Sequence, residues 1–200
     1  MNGNIIRKTS GGISTIPLEA QLLSKRIILL KGEITVDLAE DVVARLLSLA
    51  LDDKRSVIDI LINSPGGDYA AGMIIYDAIQ SIDTPVRLIN IGSAYSMAAV
   101  LLASGKHGRY LLPHAEVMIH DPYMQSCSGG SSAAIKQTAD RLSRKRKEMH
   151  RILSVHTGKG IKQIQRATCH DNYMDAHGAI AFGICDGIIT MNEILEGRYE

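Results

Sequence analysis

Three side chains of this sequence, Ser96, His120 and Asp171, are of the types that together make a serine nucleophilic. A serine alcohol attacks a carbonyl carbon only when a neighbouring base takes its proton and a third group orients that base. The chemistry that such a set would allow is acyl transfer, in which the serine carries the acyl group until water releases it. Spacing along the chain cannot bring the three residues together, so the fold must do so.

Ser96 has the sequence surroundings of a nucleophile. It lies among small residues in the run 91–99 (IGSAYSMAA), directly before an apolar, helix-forming segment at 100–103. A glycine-rich turn, 64–67 (SPGG), lies upstream. The first N–H groups of a helix lack intrahelical acceptors and lie at the positive end of its dipole. We therefore expect backbone N–H groups beside Ser96 that could stabilise an oxyanion.

His120 is the best placed of the seven histidines to act as the base. It ends an apolar strand predicted over 116–120, beside a turn at Asp121 and Pro122, where a side chain can face a cleft. Asp171 lies in a predicted loop and could orient the imidazole, although a lone loop carboxylate is more often a helix cap or a surface charge. The histidines expected to be solvated surface residues are His107, His114, His150, His156 and His177.

The elements that must position these residues alternate between strands and helices. The pattern of apolar residues predicts strands at 26–30, 56–62, 86–91, 116–120 and 184–190, and helices at 36–51, 68–82, 133–156, 161–168 and 175–182. This alternation predicts one α/β domain with a mainly parallel sheet. Ligands bind beyond the carboxyl ends of such strands, where both glycine-rich turns are expected to lie.

The composition is that of an ordinary globular protein. The 200 residues are 46% hydrophobic and 22% charged, with a net charge of +1. Aromatic residues make up only 4%, which argues against domains that stack nucleic-acid bases. No segment has the length of a membrane span or of a signal peptide, so we expect a cytoplasmic protein. Three cysteines without metal-ligand spacing, Cys127, Cys169 and Cys185, are expected to be reduced thiols.

Four motifs, in order, resemble those of the Clp protease proteolytic subunit family (ClpP). They are 62–67 (INSPGG), 92–97 (GSAYSM), 112–122 (LPHAEVMIHDP) and 171–174 (DNYM), and the likeness extends from about Leu22 to Ile189. The resemblance implies a ClpP/crotonase-like α/β fold of repeated β-β-α and βαβ units, with a mainly parallel sheet and a protruding strand–helix handle at about 122–156. Residues 1–20 would form a mobile, axial-loop-like segment, and residues 21–200 a single peptidase domain.

The resemblance also implies a role for each candidate residue. Ser96 would be the nucleophile, His120 the general base and then acid, and Asp171 the residue that orients the histidine. The backbone N–H groups of Gly67 and Met97 would form the oxyanion hole. No metal or organic cofactor is implied for this chain, and ATP would be used only by a partner unfoldase.

The implied assembly is a ring-shaped chamber. Members of the family form heptameric rings, and the handle joins two rings into a tetradecamer. The implied partners are polypeptide substrates, a Clp-type ATPase unfoldase and a second ClpP-type subunit, without nucleic acid or membrane. The basic run 141–147 (RLSRKRK) is then expected to be a solvated or inter-subunit face of the handle helix.

Four features depart from the family pattern. Asp59 and Leu61 stand where the family commonly has tyrosines in its ATPase-docking pocket, and a carboxylate there would weaken docking unless it were paired. Cys169 and His170 replace an Asp-Arg pair that contacts the opposite ring. Tyr95 replaces an alanine before the nucleophile and is expected to narrow the substrate site. The N-terminal segment also lacks the usual apolar-proline lead into the axial loops.

The sequence therefore predicts a serine endopeptidase that hydrolyses unfolded polypeptides and peptides inside a ring. One alternative is a latent or scaffold subunit of a mixed ClpP ring. Another is a crotonase-fold acyl-CoA enzyme, which uses a backbone oxyanion hole but does not need the Ser-His-Asp set. The presence of that set favours the peptidase.

Overall fold

The computed structural model describes residues 4–9, 12–123 and 129–196. The helices in this part of the chain are α1 (Leu18–Ser24), α2 (Val36–Asp52), α3 (Tyr69–Ser81), α4 (Met97–Ala103), α5 (Ser132–Thr157), α6 (Ile161–Thr168), α7 (Ala176–Phe182) and α8 (Met191–Glu196). The strands are β1 (Asn4–Thr9), β2 (Gly12–Pro17), β3 (Ile27–Lys31), β4 (Ile58–Ser64), β5 (Val86–Tyr95), β6 (Arg109–Leu111), β7 (Glu116–Ile119), β8 (Asn172–Met174) and β9 (Gly187–Ile188). Cys127 lies outside the described residues, together with residues 124–126 and 128.

A mainly parallel sheet forms the centre of the molecule. Its strands follow the order β3-β4-β5-β6-β9, and all these neighbours are parallel. The outer half of β5 also pairs in parallel with β7, which in turn pairs antiparallel with β8. Strand β4 is buried on both faces, as a near-continuous apolar run in a parallel sheet requires. The predicted α/β class with a mainly parallel sheet is confirmed.

The helices that cover the sheet begin at residues suited to capping. Thr35 accepts a hydrogen bond from the Leu38 N–H at the start of α2, and Asp68 accepts one from the Ala71 N–H at the start of α3. These caps satisfy N–H groups that have no acceptor within the helix. The buried faces of α2 and α3 pack with the whole of α4 into the larger core cluster. The fully buried α4 holds the carboxyl end of β5 in place.

The opposite face of the sheet carries a smaller apolar cluster, formed by Ile27, Leu61, Ile89, Ile189 and Ile194. Asp59 lies beside it, and Arg87 is its register partner on β5. The guanidinium Nε and Nη2 donate to the two Asp59 carboxylate oxygens at 2.7 and 2.9 Å. The carboxylate that was expected to disturb an apolar pocket is thus paired.

Most predicted elements are found within one or two residues of their expected bounds. Strand β5 is longer than the predicted 86–91, and the final strand, expected at 184–190, is reduced to Gly187–Ile188.

At the N-terminus, β1 and β2 pair antiparallel and lead into α1. The predicted mobility of residues 1–20 stays a prediction. In the handle region, α5 runs for 26 residues, and its buried residues are Met149, His150, Ile152 and Leu153.

Candidate active site

Ser96 occupies a sharp turn between β5 and α4. Its φ of 53° and ψ of −119° are uncommon for a residue with a side chain, and its N–H donates to the Met118 carbonyl at 2.8 Å. That bond fixes the turn to strand β7. The serine therefore stands at the carboxyl end of the parallel sheet, where the sequence placed it.

His120 reaches Ser96 from the end of β7. Its Nε2 lies 2.8 Å from the Ser96 Oγ, and its Nδ1 lies 3.2 Å from an Asp171 carboxylate oxygen. The register of the antiparallel pair explains this contact, because Ile119 faces Asn172 and the residues beyond them are His120 and Asp171. A proton on Nδ1 bonds the carboxylate, which leaves Nε2 free to accept the serine proton. The structure brings all three predicted side chains together.

Two consecutive glycines hold the neighbouring turn against Ser96. A Cβ on Gly66 would lie 2.8 Å from the Ser96 Cβ and 3.1 Å from the Met97 nitrogen. Gly67 has a φ of 153°, and a Cβ there would clash with the Ile34 carbonyl oxygen. Neither position has room for a side chain, so the backbone alone can approach the serine this closely.

The N–H groups predicted for the oxyanion hole lie on either side of this contact. Ile34 donates to the Gly66 carbonyl and accepts from the Asp68 N–H, both at 2.8 Å. In a parallel bridge of this kind the N–H of the intervening residue, Gly67, points away from Ile34. Met97 opens α4, and its N–H has no acceptor within the helix. Neither N–H is therefore used by the bridge or the helix that it adjoins.

A cleft of about 610 Å³ lies over these groups. Ser96, His120, Gly67 and Met97 line it, whereas Asp171 supports His120 from outside it. Its apolar lining is supplied by Pro65, Met118, Pro122, Tyr123, Leu142 and Met149, and its charged lining by Glu33, Asp68 and Lys145. The cleft offers a ligand both apolar and polar surface, in about equal parts.

Helix α5 forms one wall of this cleft together with Tyr69. The Tyr69 hydroxyl donates to Glu148 at 3.1 Å, and the Lys145 ammonium lies 5.2 Å above the ring. Burial, and then the Glu148 charge, raise the pKa of Tyr69 above its usual value. The phenol therefore remains a protonated donor at neutral pH.

Tyr95 does not narrow the site as expected. Its hydroxyl donates to Glu116 at 2.6 Å, and its ring meets Tyr173 edge-on at 5.7 Å. The bond to Glu116 raises the pKa of Tyr95 to about 12, so the hydroxyl stays protonated. Its contacts lie on β7 and β8, and Tyr95 is not among the residues lining the cleft. The expected narrowing is wrong because the phenol is held by these strands.

Three polar residues next to the site were not among those predicted for it: Asp121, His150 and Thr168. His150 was expected to be a solvated surface residue, but only 3% of it is exposed. Its neighbours Met149, Ile152 and Leu153 form the apolar stripe of α5, and that stripe was the signal that could have placed it inward. Among the described residues, no group of three His, Cys, Asp or Glu side chains is arranged to hold a metal ion.

A mainly parallel α/β sheet with a Ser-His-Asp series of contacts at its carboxyl edge has the arrangement that serine hydrolases use for acyl transfer. The family model for Clp protease matches residues 10–192, and the chain belongs to that family. The fold is the ClpP/crotonase-like one, and the family implies a peptidase, that is, a hydrolase of peptide bonds. Proteins of this family generally form oligomeric rings. Within the described residues, no helix combines the length and apolar character needed to cross a membrane.

Proposed function

We propose that this chain is a ClpP-type serine endopeptidase that uses Ser96, His120 and Asp171 as its catalytic triad. The observation that carries the proposal is the position of His120, with one ring nitrogen 2.8 Å from the Ser96 hydroxyl and the other 3.2 Å from Asp171. One imidazole that contacts both a hydroxyl and a carboxylate can move a proton in either direction.

The reaction follows from these contacts. The Ser96 hydroxyl gives its proton to the His120 Nε2 as its oxygen attacks the peptide carbonyl carbon. The N–H groups of Gly67 and Met97 receive the resulting oxyanion. His120 then gives the proton to the amine that leaves, and the acyl group remains on Ser96. Water gives a proton to His120 as it attacks this ester. The bond between the carbonyl carbon and the Ser96 oxygen then breaks, His120 returns the proton to that oxygen, and the acid product leaves.

The assembly and the partners belong to the same proposal. Rings of seven subunits, paired into a tetradecamer, would enclose the clefts, and an ATP-dependent unfoldase would deliver unfolded polypeptides. The largely exposed first part of α5 supports a role as the handle that joins the rings. The chemistry described above requires no cofactor in this chain, and the cytoplasm remains the proposed location.

The experiment compares the wild type with Ser96→Ala and with Ser93→Ala. Ser93 is a matched control, because it lies in β5, three residues before Ser96, and its hydroxyl donates to Asn63 at 3.0 Å. We expect a fluorophosphonate probe to label the wild type and Ser93→Ala, and these two to cleave casein or a fluorogenic peptide. Peptide cleavage that survives Ser96→Ala refutes the mechanism.

Native mass spectrometry of the same samples reports the size of the ring. The scaffold role would be favoured if the chain assembles into rings but the probe labels no oligomeric state of it, either alone or after mixing with a second ClpP-type chain. Binding of an acyl-CoA thioester, without cleavage of peptides, would favour the crotonase-type alternative.

A further inference from the structure

A buried hydrogen-bonded network lies directly behind the Ser96–His120–Asp171 site. The His150 Nε2 lies 2.7 Å from a carboxylate oxygen of Asp121 and 3.0 Å from the Thr168 hydroxyl oxygen. The Thr168 hydroxyl donates to the same Asp121 oxygen at 2.6 Å. The Arg146 guanidinium approaches the other oxygen of Asp121 at 3.7 Å.

This network joins the two segments that carry His120 and Asp171. Asp121 directly follows His120 in the chain, and Thr168 ends α6 just before the turn that leads to Asp171. The Asp121 N–H also donates to the Thr168 carbonyl at 2.7 Å. The backbone positions of the imidazole and of its carboxylate partner are therefore set by bonds between their neighbours.

The His120–Asp171 contact itself offers little to maintain this geometry. Asp171 has 58% of its side chain exposed, and its oxygen lies 3.2 Å from the imidazole nitrogen. An exposed ionic contact of this kind contributes little to stability. His150 differs, since only 4% of its side chain is exposed. Its N–H is bound to polar partners, and a buried N–H that lost such partners would destabilise the folded state.

We propose that His150 is a positioning residue for the His120–Asp171 pair. From α5 its Nε2–H donates to Asp121, and Asp121 binds Thr168 through both its carboxylate and its N–H. This fixes the distance between the end of β7 and the end of α6. The inference rests on the proposed peptidase function, because its effect is on the orientation of His120 towards Ser96.

Three variants separate positioning from general stability. His150→Leu keeps apolar volume but removes the donor, whereas His150→Gln keeps an N–H of similar reach. His156→Leu is the matched control, because His156 is also a hydrogen-bonded histidine of α5, with its Nε2 3.0 Å from the Tyr76 hydroxyl. That bond lies away from the segments of His120 and Asp171.

The measurements are kcat and KM for a short fluorogenic peptide, the rate of fluorophosphonate labelling, the melting temperature and the native mass. We expect His150→Leu to lower kcat and the labelling rate about tenfold with little change in KM, because a misplaced base affects the transition state. We expect His150→Gln to recover most of this loss. His156→Leu should lower the melting temperature and leave kcat unchanged.

An unchanged kcat in a folded, assembled His150→Leu overturns the inference and leaves the proposed peptidase intact. The inference also fails if His150→Gln is as impaired as His150→Leu, or if the activity of all three variants simply follows their melting temperature or ring content. A wild-type protein that neither binds the probe nor cleaves peptides overturns the proposed function, and this inference with it.

Discussion

The pairing of Asp59 with Arg87 allows a quantitative prediction about stability. Both side chains are largely buried, with exposed fractions of 10% and 13%, and two hydrogen bonds of 2.7 and 2.9 Å join them. Arg87→Met removes the cation and both of its hydrogen bonds to the buried carboxylate. Loss of one partner of a buried ion pair costs about 3–5 kcal/mol, because the charge that stays buried no longer has its counter-ion.

The double variant Asp59→Leu/Arg87→Met should behave differently. It removes both charges and places apolar side chains beside Leu61 and Ile89, which already pack together. Replacing a buried ion pair by apolar residues of similar volume is typically neutral, or stabilising by about 1–4 kcal/mol. The double variant should therefore recover the stability that Arg87→Met loses.

The assay is thermal unfolding followed by far-UV circular dichroism at one fixed protein concentration, since assembly shifts the apparent stability. For a chain of this size 1 kcal/mol corresponds to about 2–4 °C, so we expect Arg87→Met to melt roughly 10 °C below the wild type. Arg45→Met is the control, because Arg45 pairs with two more exposed carboxylates, Asp41 and Glu19, and its loss should cost no more than about 1 kcal/mol. The reasoning is refuted if Arg87→Met melts with the control, or if the double variant is as unstable as the single one.

Two further predictions concern the site and the pH dependence of folding. Gly67→Ala should lower kcat by about a hundredfold or more, because its Cβ would clash with the Ile34 carbonyl oxygen and displace the N–H proposed as an oxyanion donor. An assay of peptide cleavage in folded rings that finds wild-type turnover would contradict this. Burial, and then the charge of Arg109, lower the pKa of His156, so the unfolded chain binds the proton more readily. The stability due to neutral His156 is therefore present above about pH 6.5 and is lost as the pH falls towards the lower, folded-state pKa. Urea unfolding from pH 7.5 to pH 5 should show a smaller loss of stability in His156→Gln than in the wild type, and equal losses would contradict the assignment.

The sequence predicted those helices and strands that have a clear local pattern of apolar or small residues. Helix α2 and strand β4 have clear apolar periodicity, and the small residues around Ser96 marked the strand-to-helix turn. Strand β6 was missed because tertiary bonds hold its three residues in place. There Arg109 binds Asp186 and the carbonyls of His156 and Gly183. No local pattern shows such bonds.

The same distinction holds in the site. The four motifs named Ser96, His120 and Asp171, but the contact of His120 with Asp171 arises from the register of β7 and β8, which only the folded chain shows. The pairing of Asp59 with Arg87 could likewise not be predicted from the sequence, because the two residues become adjacent only through the parallel register of β4 and β5. Long-range pairing of this kind is a property of topology and not of local sequence.

The helical structure of α5 should depend on the concentration of the protein. The helix is about 39 Å long. Between Ser132 and Glu148 its side chains are exposed or half-buried, so the domain itself contributes little to holding that part helical. Helices without tertiary contacts are marginal in water. In the proposed rings, neighbouring subunits would supply these contacts, and dilution should then unwind the first turns of α5 before it affects the sheet. Hydrogen exchange of this segment would accordingly slow as the chain is concentrated.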